Sequence, residues 1–201
     1  MNPMTTTGPG PFLVVDSPHE TARWRPLVNW VLYIPHAVIL YALQALSRAV
    51  FLVYWLVLVF TGRLQPGLYG IMVMYERYNA RAGGSLVGWC SASPPFEFPT
   101  AETDNESYRA VRLDLPPVPA AAPRSAALNV FKAIPHYLLL MVFLVGAVVV
   151  AIAAWFAVLF TGSWPAGMRR YLIRVSNYQY RIWTYVTMVD NDYPTFGLPA
   201  A

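Results

Sequence analysis

Polar and apolar positions along this chain are sorted into blocks. From Tyr137 to Phe160 no residue is charged and hardly a side chain carries a polar atom, a run of 24 positions. At about 1.5 Å of rise per residue that is roughly 36 Å of helix, enough to cross a hydrocarbon core of about 30 Å with some tilt. Ala37 to Phe60 is a matching block, broken only by Gln44, Ser47 and Arg48. Both predict transmembrane helices, over about 37–60 and 137–160. Neither reads as a signal peptide, because the first lies too far from Met1, is too long, and lacks a charged leader and a small-residue cleavage site.

After each block the pattern turns amphipathic at helical spacing, over about 67–83 and 167–189. In the second stretch Arg170, Arg174, Asn177 and Arg181 fall four, three and four residues apart and form one stripe, with Tyr, Ile and Trp on much of the remainder. The first stretch carries Arg77 and Arg81, with Glu76 beside them. An arginine stripe on an aromatic helix predicts a helix lying in the headgroup plane. The alternative is two spans per repeat, four in total, with the arginines facing a bundle interior at higher cost.

These blocks belong to two copies of one unit. Ile34-Pro35-His36 returns as Ile134-Pro135-His136, and Phe60-Thr61-Gly62 returns as Phe160-Thr161-Gly162. Asn29, Trp55, Tyr78 and Phe96 likewise match Asn129, Trp155, Tyr178 and Phe196, all at the same spacing of 100 residues. Repeat 1 therefore covers 27–97 and repeat 2 covers 127–197. Pro35 and Pro135 suit a first helical turn, so the apolar stretch ahead of each reads as a short interfacial helix bent at the proline. Gly62 and Gly162 close the spans, with Arg63 and Trp164 as interface anchors.

Residues 98–126 form a Pro-rich acidic extramembrane linker, with Glu97, Glu102, Asp104 and Glu106 in or beside it. Within it Tyr108 to Leu115 alternates well enough for a short strand, placing Val111, Leu113 and Leu115 on one face. Phe12 to Val15 is its counterpart ahead of the first repeat. Residues 1–26 are otherwise expected to be mostly disordered, above all the Thr, Gly and Pro-rich 1–11. The expected fold is thus an all-α membrane protein. It has two tandem repeats, each a short interfacial helix, a transmembrane helix and an amphipathic Arg/aromatic helix, with a short β pair outside the membrane.

Composition agrees with that class. Apolar residues make up 57% of the 201 positions and charged ones 12%, against about 25% charged in a soluble domain. The net charge of +4 suits anionic headgroups, and the dispersed arginines argue against nucleic acid. One cysteine, Cys90, excludes an internal disulfide and a cysteine-based metal cluster. Thirteen arginines against a single lysine, Lys132, read as the codon bias of a GC-rich bacterial genome. Basic residues are split almost evenly about the two spans, so charge does not choose an orientation.

The series Ile-Pro-His, long apolar span, Phe-Thr-Gly, Pro/Gly turn, Arg-bearing aromatic helix and Asp192-Tyr193-Pro194-Thr195-Phe196 resembles the bacterial membrane family catalogued as domain of unknown function 4389. The resemblance covers nearly the whole chain as two tandem units. Its closing motif is weaker in the first, where Ser93-Pro94-Pro95-Phe96 lacks the Asp-Tyr pair. It implies membrane residence and these unit borders, and it brings no activity and no functional residues.

Among individual residues, Arg48 falls at the middle of the first span, where a charge costs on the order of 2.5–3.5 kcal/mol and needs a partner or a water path. The second copy has Val148 there. Its partner would be Glu76, a lipid phosphate, or a carboxylate on another protein. With Arg77, Arg81, Arg170, Arg174 and Arg181, these two residues are the candidates for binding lipid or a partner. Gly146, Ala147, Ala151 and Ala154 are small enough to pack helices closely. His36 and His136 could ligate haem only if they met, whereas one crossing per unit places them on opposite sides of the membrane. No nucleophile–base pair, phosphate loop or metal-ligand spacing occurs, so no catalytic residue, metal or other cofactor is expected.

The expected function is a non-enzymatic, integral, multi-pass accessory or scaffold protein of a bacterial plasma membrane. It would bind a larger membrane complex, or itself as an oligomer, or organise lipid. A small oligomeric transporter or channel built from repeats is the alternative, and a haem-binding electron-transfer subunit the second.

Overall fold

The computed structural model describes residues 12–90, 93–100, 104 and 108–199. The disorder expected for residues 1–11, and the acids Glu102 and Glu106, lie outside them. In chain order the elements are β1 (Leu13–Val14), α1 (Arg25–Thr61), α2 (Pro66–Val87), β2 (Arg112–Leu113), a 3-10 turn (Arg124–Leu128), α3 (Asn129–Lys132), α4 (Ile134–Thr161) and α5 (Ala166–Val186). Two stretches, α1 and Arg124–Thr161, are long and apolar enough to cross a membrane. The short β pair is present, and Val111, Leu113 and Leu115 are all buried.

The two copies start their long helices differently. Pro35 lies inside α1, which runs on through it, so no separate interfacial helix precedes the first block. A proline withholds one amide, and a helix packed on both sides of it can survive that loss. In the second copy there is a break, two residues ahead of Pro135 at Ala133 (φ −77°, ψ −9°), and α4 begins afresh with Pro135 in its first turn.

Both long helices end alike. Gly62 and Gly162 take left-handed φ values of 71° and 75°, and their amides bond Leu58 O and Val158 O at 2.8 Å. The preceding threonines complete the cap. Thr61 Oγ1 donates to Val57 O and accepts from the amide of Arg63, and Thr161 does the same with Ala157 and Ser163. The Phe-Thr-Gly signature is thus a helix terminator.

Each amphipathic helix folds back along its own long helix. Asn29 Nδ2 donates to Ser85 O at 3.0 Å, and Asn129 Nδ2 donates to Tyr185 O at 3.2 Å, the same bond in both copies. Between copies the relation is a pseudo-two-fold axis. Arg124 donates to Phe60 O at the end of α1, and Thr21 N donates to Gly162 O at the end of α4. Each long helix therefore starts where the other ends, and the two are antiparallel.

The axis passes through the β pair, where Leu13 faces Leu113 and Val14 faces Arg112. Each strand is held by the helix of the opposite repeat. Asn177 on α5 accepts from Leu13 N at 2.9 Å and donates to Leu13 O at 3.2 Å. At the matching position of α2, Arg77 donates to Leu113 O at 3.2 Å. Tyr69 and Arg169 repeat the exchange on Pro116 O and Ser17 O. Three layers result: the strands with their flanking chain, then α2 and α5, then α1 and α4.

Large apolar side chains are exposed along α1 from Leu27 to Phe60 and along α4 from Ile134 to Phe160. Among the described residues none is exposed on α2 or α5.

Three substitutions test this reading. Gly62→Ala should lower stability by about 1 kcal/mol, since the site has room for a methyl group but not its backbone angle. Gly67→Ala, in the open first turn of α2, should be neutral or slightly stabilising. Asn177→Ala leaves both backbone groups of buried Leu13 unpaired and should cost on the order of 2–3 kcal/mol. Denaturation in detergent measures all three; a harmless Asn177→Ala would mean that the strand does not depend on α5.

Candidate functional site

The motif residues shared by the copies form one repeated packing unit. His36 Nδ1 pairs with the Tyr78 hydroxyl at 2.7 Å, and its ring stacks on Phe96 with centroids 4.7 Å apart. His136 repeats this with Tyr178 at 2.8 Å and Phe196 at 4.2 Å. Ile-Pro-His, the helix tyrosine and the closing phenylalanine are therefore one aromatic clamp that fastens the end of each unit to the start of its long helix. The two histidines sit within their own repeats, toward opposite ends of the antiparallel pair, and are not brought together as haem ligation requires.

The arginines expected in a headgroup plane are mostly used inside the protein. Arg77 and Arg81 are each 1% exposed, and Arg81 forms a salt bridge with buried Asp104, which also accepts from Leu113 N. Arg174 donates to Pro199 O and Leu198 O, and Arg181 to Thr195 Oγ1. These four hold loops and the C-terminal tail; for Arg77 and Arg81 this follows from burial, since a buried guanidinium is stable only where carbonyls or a carboxylate meet its donors. Periodicity placed them on one stripe and could not say that chain, rather than lipid, covers it. Trp164, expected as an interface anchor, is likewise buried, at the end of α4. Arg170 is exposed and lines a groove of about 390 Å³ with Asp16, His19 and Arg169.

Gly146 lies against Tyr171, whose hydroxyl would stand 2.6 Å from any added Cβ and donates to Phe143 O. Ala154 is fully buried, and Ala147 and Ala151 pack partly buried on the same core. These small residues bring α4 close to the rest of the bundle rather than forming a free surface.

Arg48 and Glu76 share a cavity of about 480 Å³ lined by side chains from α1, α2, α4 and α5. Arg48 is exposed at its mouth, and Glu76 is 8% exposed. Gln44, Asn79, Tyr137 and Gln179 supply further polar atoms, and Gln44 donates to the Tyr75 hydroxyl. Among the described residues neither Arg48 nor Glu76 makes an ion pair or a hydrogen bond. Burial pushes the Glu76 carboxyl up to about 7.

The copies diverge around this cavity. Gln44, Ser47, Arg48 and Glu76 correspond to Leu144, Ala147, Val148 and Ser176. Sequence reasoning named Arg48 and Glu76 and met Gln44 only as a break in the first apolar block. The mismatch with Leu144 was the available signal for Gln44, whereas Asn79 and Gln179 are equivalent positions, polar in both copies, and gave none.

Comparison with known proteins gives one match. A family model described as "Domain of unknown function (DUF4389)" covers residues 23–97 and again 124–197. Neither a curated protein nor a solved structure matches the chain.

The cavity makes a pH prediction. Glu76 binds its proton in the folded chain up to about pH 7, while the unfolded chain releases it near 4.5. Folded protein thus holds more protons between those values, and stability falls as pH rises through that window. Above about pH 7 the loss is complete, on the order of 3 kcal/mol. Glu76→Gln should remove it, so the gap between variant and wild type, read by thermal unfolding in detergent, should widen from pH 5 to pH 8. A constant gap would show that Glu76 is not held neutral.

Proposed function

The chain belongs to the family described as a domain of unknown function (DUF4389), in two tandem copies, and on that footing we propose a non-enzymatic, membrane-resident scaffold that organises phospholipid around itself. The observation that carries this reading is the cavity of Arg48 and Glu76. It places one exposed cation, one buried carboxyl and several amide groups among helices whose outer surfaces are apolar.

An arginine without an internal partner beside an apolar surface suits a phospholipid. Its guanidinium donates to two phosphate oxygens at once, while the acyl chains follow the helix faces. Gln44, Asn79 and Gln179 can hydrogen-bond the remainder of a headgroup, and a Glu76 carboxyl oxygen can accept a hydrogen bond from a headgroup ammonium. The apolar exposure along α1 and α4 is far too continuous for a surface facing water, which supports membrane residence. A bacterial plasma membrane fits the net positive charge and the arginine-for-lysine bias.

Native mass spectrometry of the detergent-extracted protein tests the proposal. Wild type should retain a phospholipid, and Arg48→Ala should hold it roughly 10- to 100-fold more weakly, the worth of a hydrogen bond to a charged group, about 1.5–3 kcal/mol. Equal lipid occupancy in both proteins would overturn the reading. Loss of a co-purifying membrane protein, with lipid unchanged, would put the partner-binding alternative in its place.

A further inference from the structure

The chain flanking the β pair has a consequence for how the protein meets a membrane. From Leu13 the first strap reaches Thr21, which is bonded to Gly162 at the end of α4. From Leu113 the second strap reaches Ala121, which bridges to Arg63 just past the end of α1. Eight extended residues cover about 26 Å, so the two straps together reach about as far as α1, whose length is about 54 Å. They run along the helices, on the layer of α2 and α5, from one end of the bundle to the other.

If α1 and α4 crossed a bilayer, the pseudo-two-fold axis would lie in the bilayer plane and the straps would cross with them. The β pair, being on the axis, would then sit at the midplane. Asp114 would lie within about 4 Å of that plane and Asp16 within about 10 Å, and both are exposed. Extended chain with only a two-residue ladder, bearing exposed carboxylates, is not tolerated against hydrocarbon. The midpoint of α1 would bring Arg48 to the same depth.

We infer that the protein is monotopic: α1 and α4 lie flat in one leaflet of a phospholipid bilayer, apolar faces down, and the straps face water. The axis then stands along the membrane normal. Every charged group of the straps is in solvent, and Arg48 lies at headgroup depth although it is in the middle of its helix. Arg23, Arg63, Arg124 and Lys132 are exposed at the ends of the apolar face, where they meet anionic headgroups, whereas Asp16 and Asp114 are on the straps. Exposed large apolar side chains on α1, α4 and the segments leading into them complete the amphipathic layer. They are joined by Phe96, Phe98, Tyr193 and Phe196 of the closing segments, whose rings pack by His36, Tyr78 and His136. The two crossings expected from the length of the apolar blocks are replaced by two helices in the plane.

This inference rests on the membrane residence proposed above, and one experiment separates the two. Single cysteines are introduced as Glu20→Cys, Gln65→Cys and Asp114→Cys, all at exposed positions, in the full chain. The native Cys90 is buried and its thiol is pushed up by that burial, so it stays silent. Right-side-out and inverted membrane vesicles are treated with an impermeant maleimide. All three sites should label from one face, within about twofold of each other, and be protected from the other. Labelling of Glu20→Cys and Gln65→Cys from opposite faces would overturn the in-plane seating and leave membrane residence standing. Nitroxides on Val38→Cys and Val149→Cys should be reached by oxygen more readily than by a polar nickel chelate. The reverse, or release of the protein by a salt wash, would overturn membrane residence itself.

Discussion

The exchange of straps between repeats is the constraint on which the rest of the structure depends. Each amphipathic helix has a buried polar face: Asn177 and Arg169 on α5, Arg77 and Tyr69 on α2. Hydrogen bonds from that face reach the chain that leads into the other repeat. Buried donors and acceptors left without those partners would each cost on the order of 1–3 kcal/mol. The straps therefore fix the antiparallel order of α1 and α4, and with it the face on which apolar side chains remain uncovered.

That same exchange explains what could be read from the residues and what could not. The doubling is legible because matching motifs keep one spacing, and the cap is legible because Thr-Gly after an apolar run has a single economical use. The β pair is legible because Val111, Leu113 and Leu115 alternate. The arginine stripe misled, since periodicity tells which side chains share a face and not whether lipid or distant chain covers it. Asp104 lies 23 residues beyond Arg81, and Pro199 lies 25 beyond Arg174. The histidine clamp depends on contacts 42 and 60 residues away, outside any local pattern. Helix length was also ambiguous, because an apolar block of 24 residues satisfies a helix that crosses a bilayer and one that lies along it.

Within the shared frame, the copies have been treated unequally. The clamp residues and helix caps are identical in both, as architecture requires. The cavity takes Gln44, Ser47, Arg48 and Glu76 from the first copy, while the equivalent positions of the second copy are Leu144, Ala147, Val148 and Ser176. A pseudo-symmetric shell thus encloses an asymmetric site, and Arg48 and Glu76 stand where the symmetry is broken. Burial of a carboxyl near an unpaired guanidinium with no bond between them is poor for stability, so the shared frame does not account for the pair.

The exchanged straps also bear on descent. A chain carrying only one unit would present a helix whose polar groups wait for the leader of another unit, and a leader with no helix of its own to hold it. Its stable form would be a homodimer with swapped leaders and two identical cavities related by true symmetry. Joining two such units in one polypeptide would preserve every contact and release the cavities from being alike, so that one half could keep the frame while the other acquired a charge.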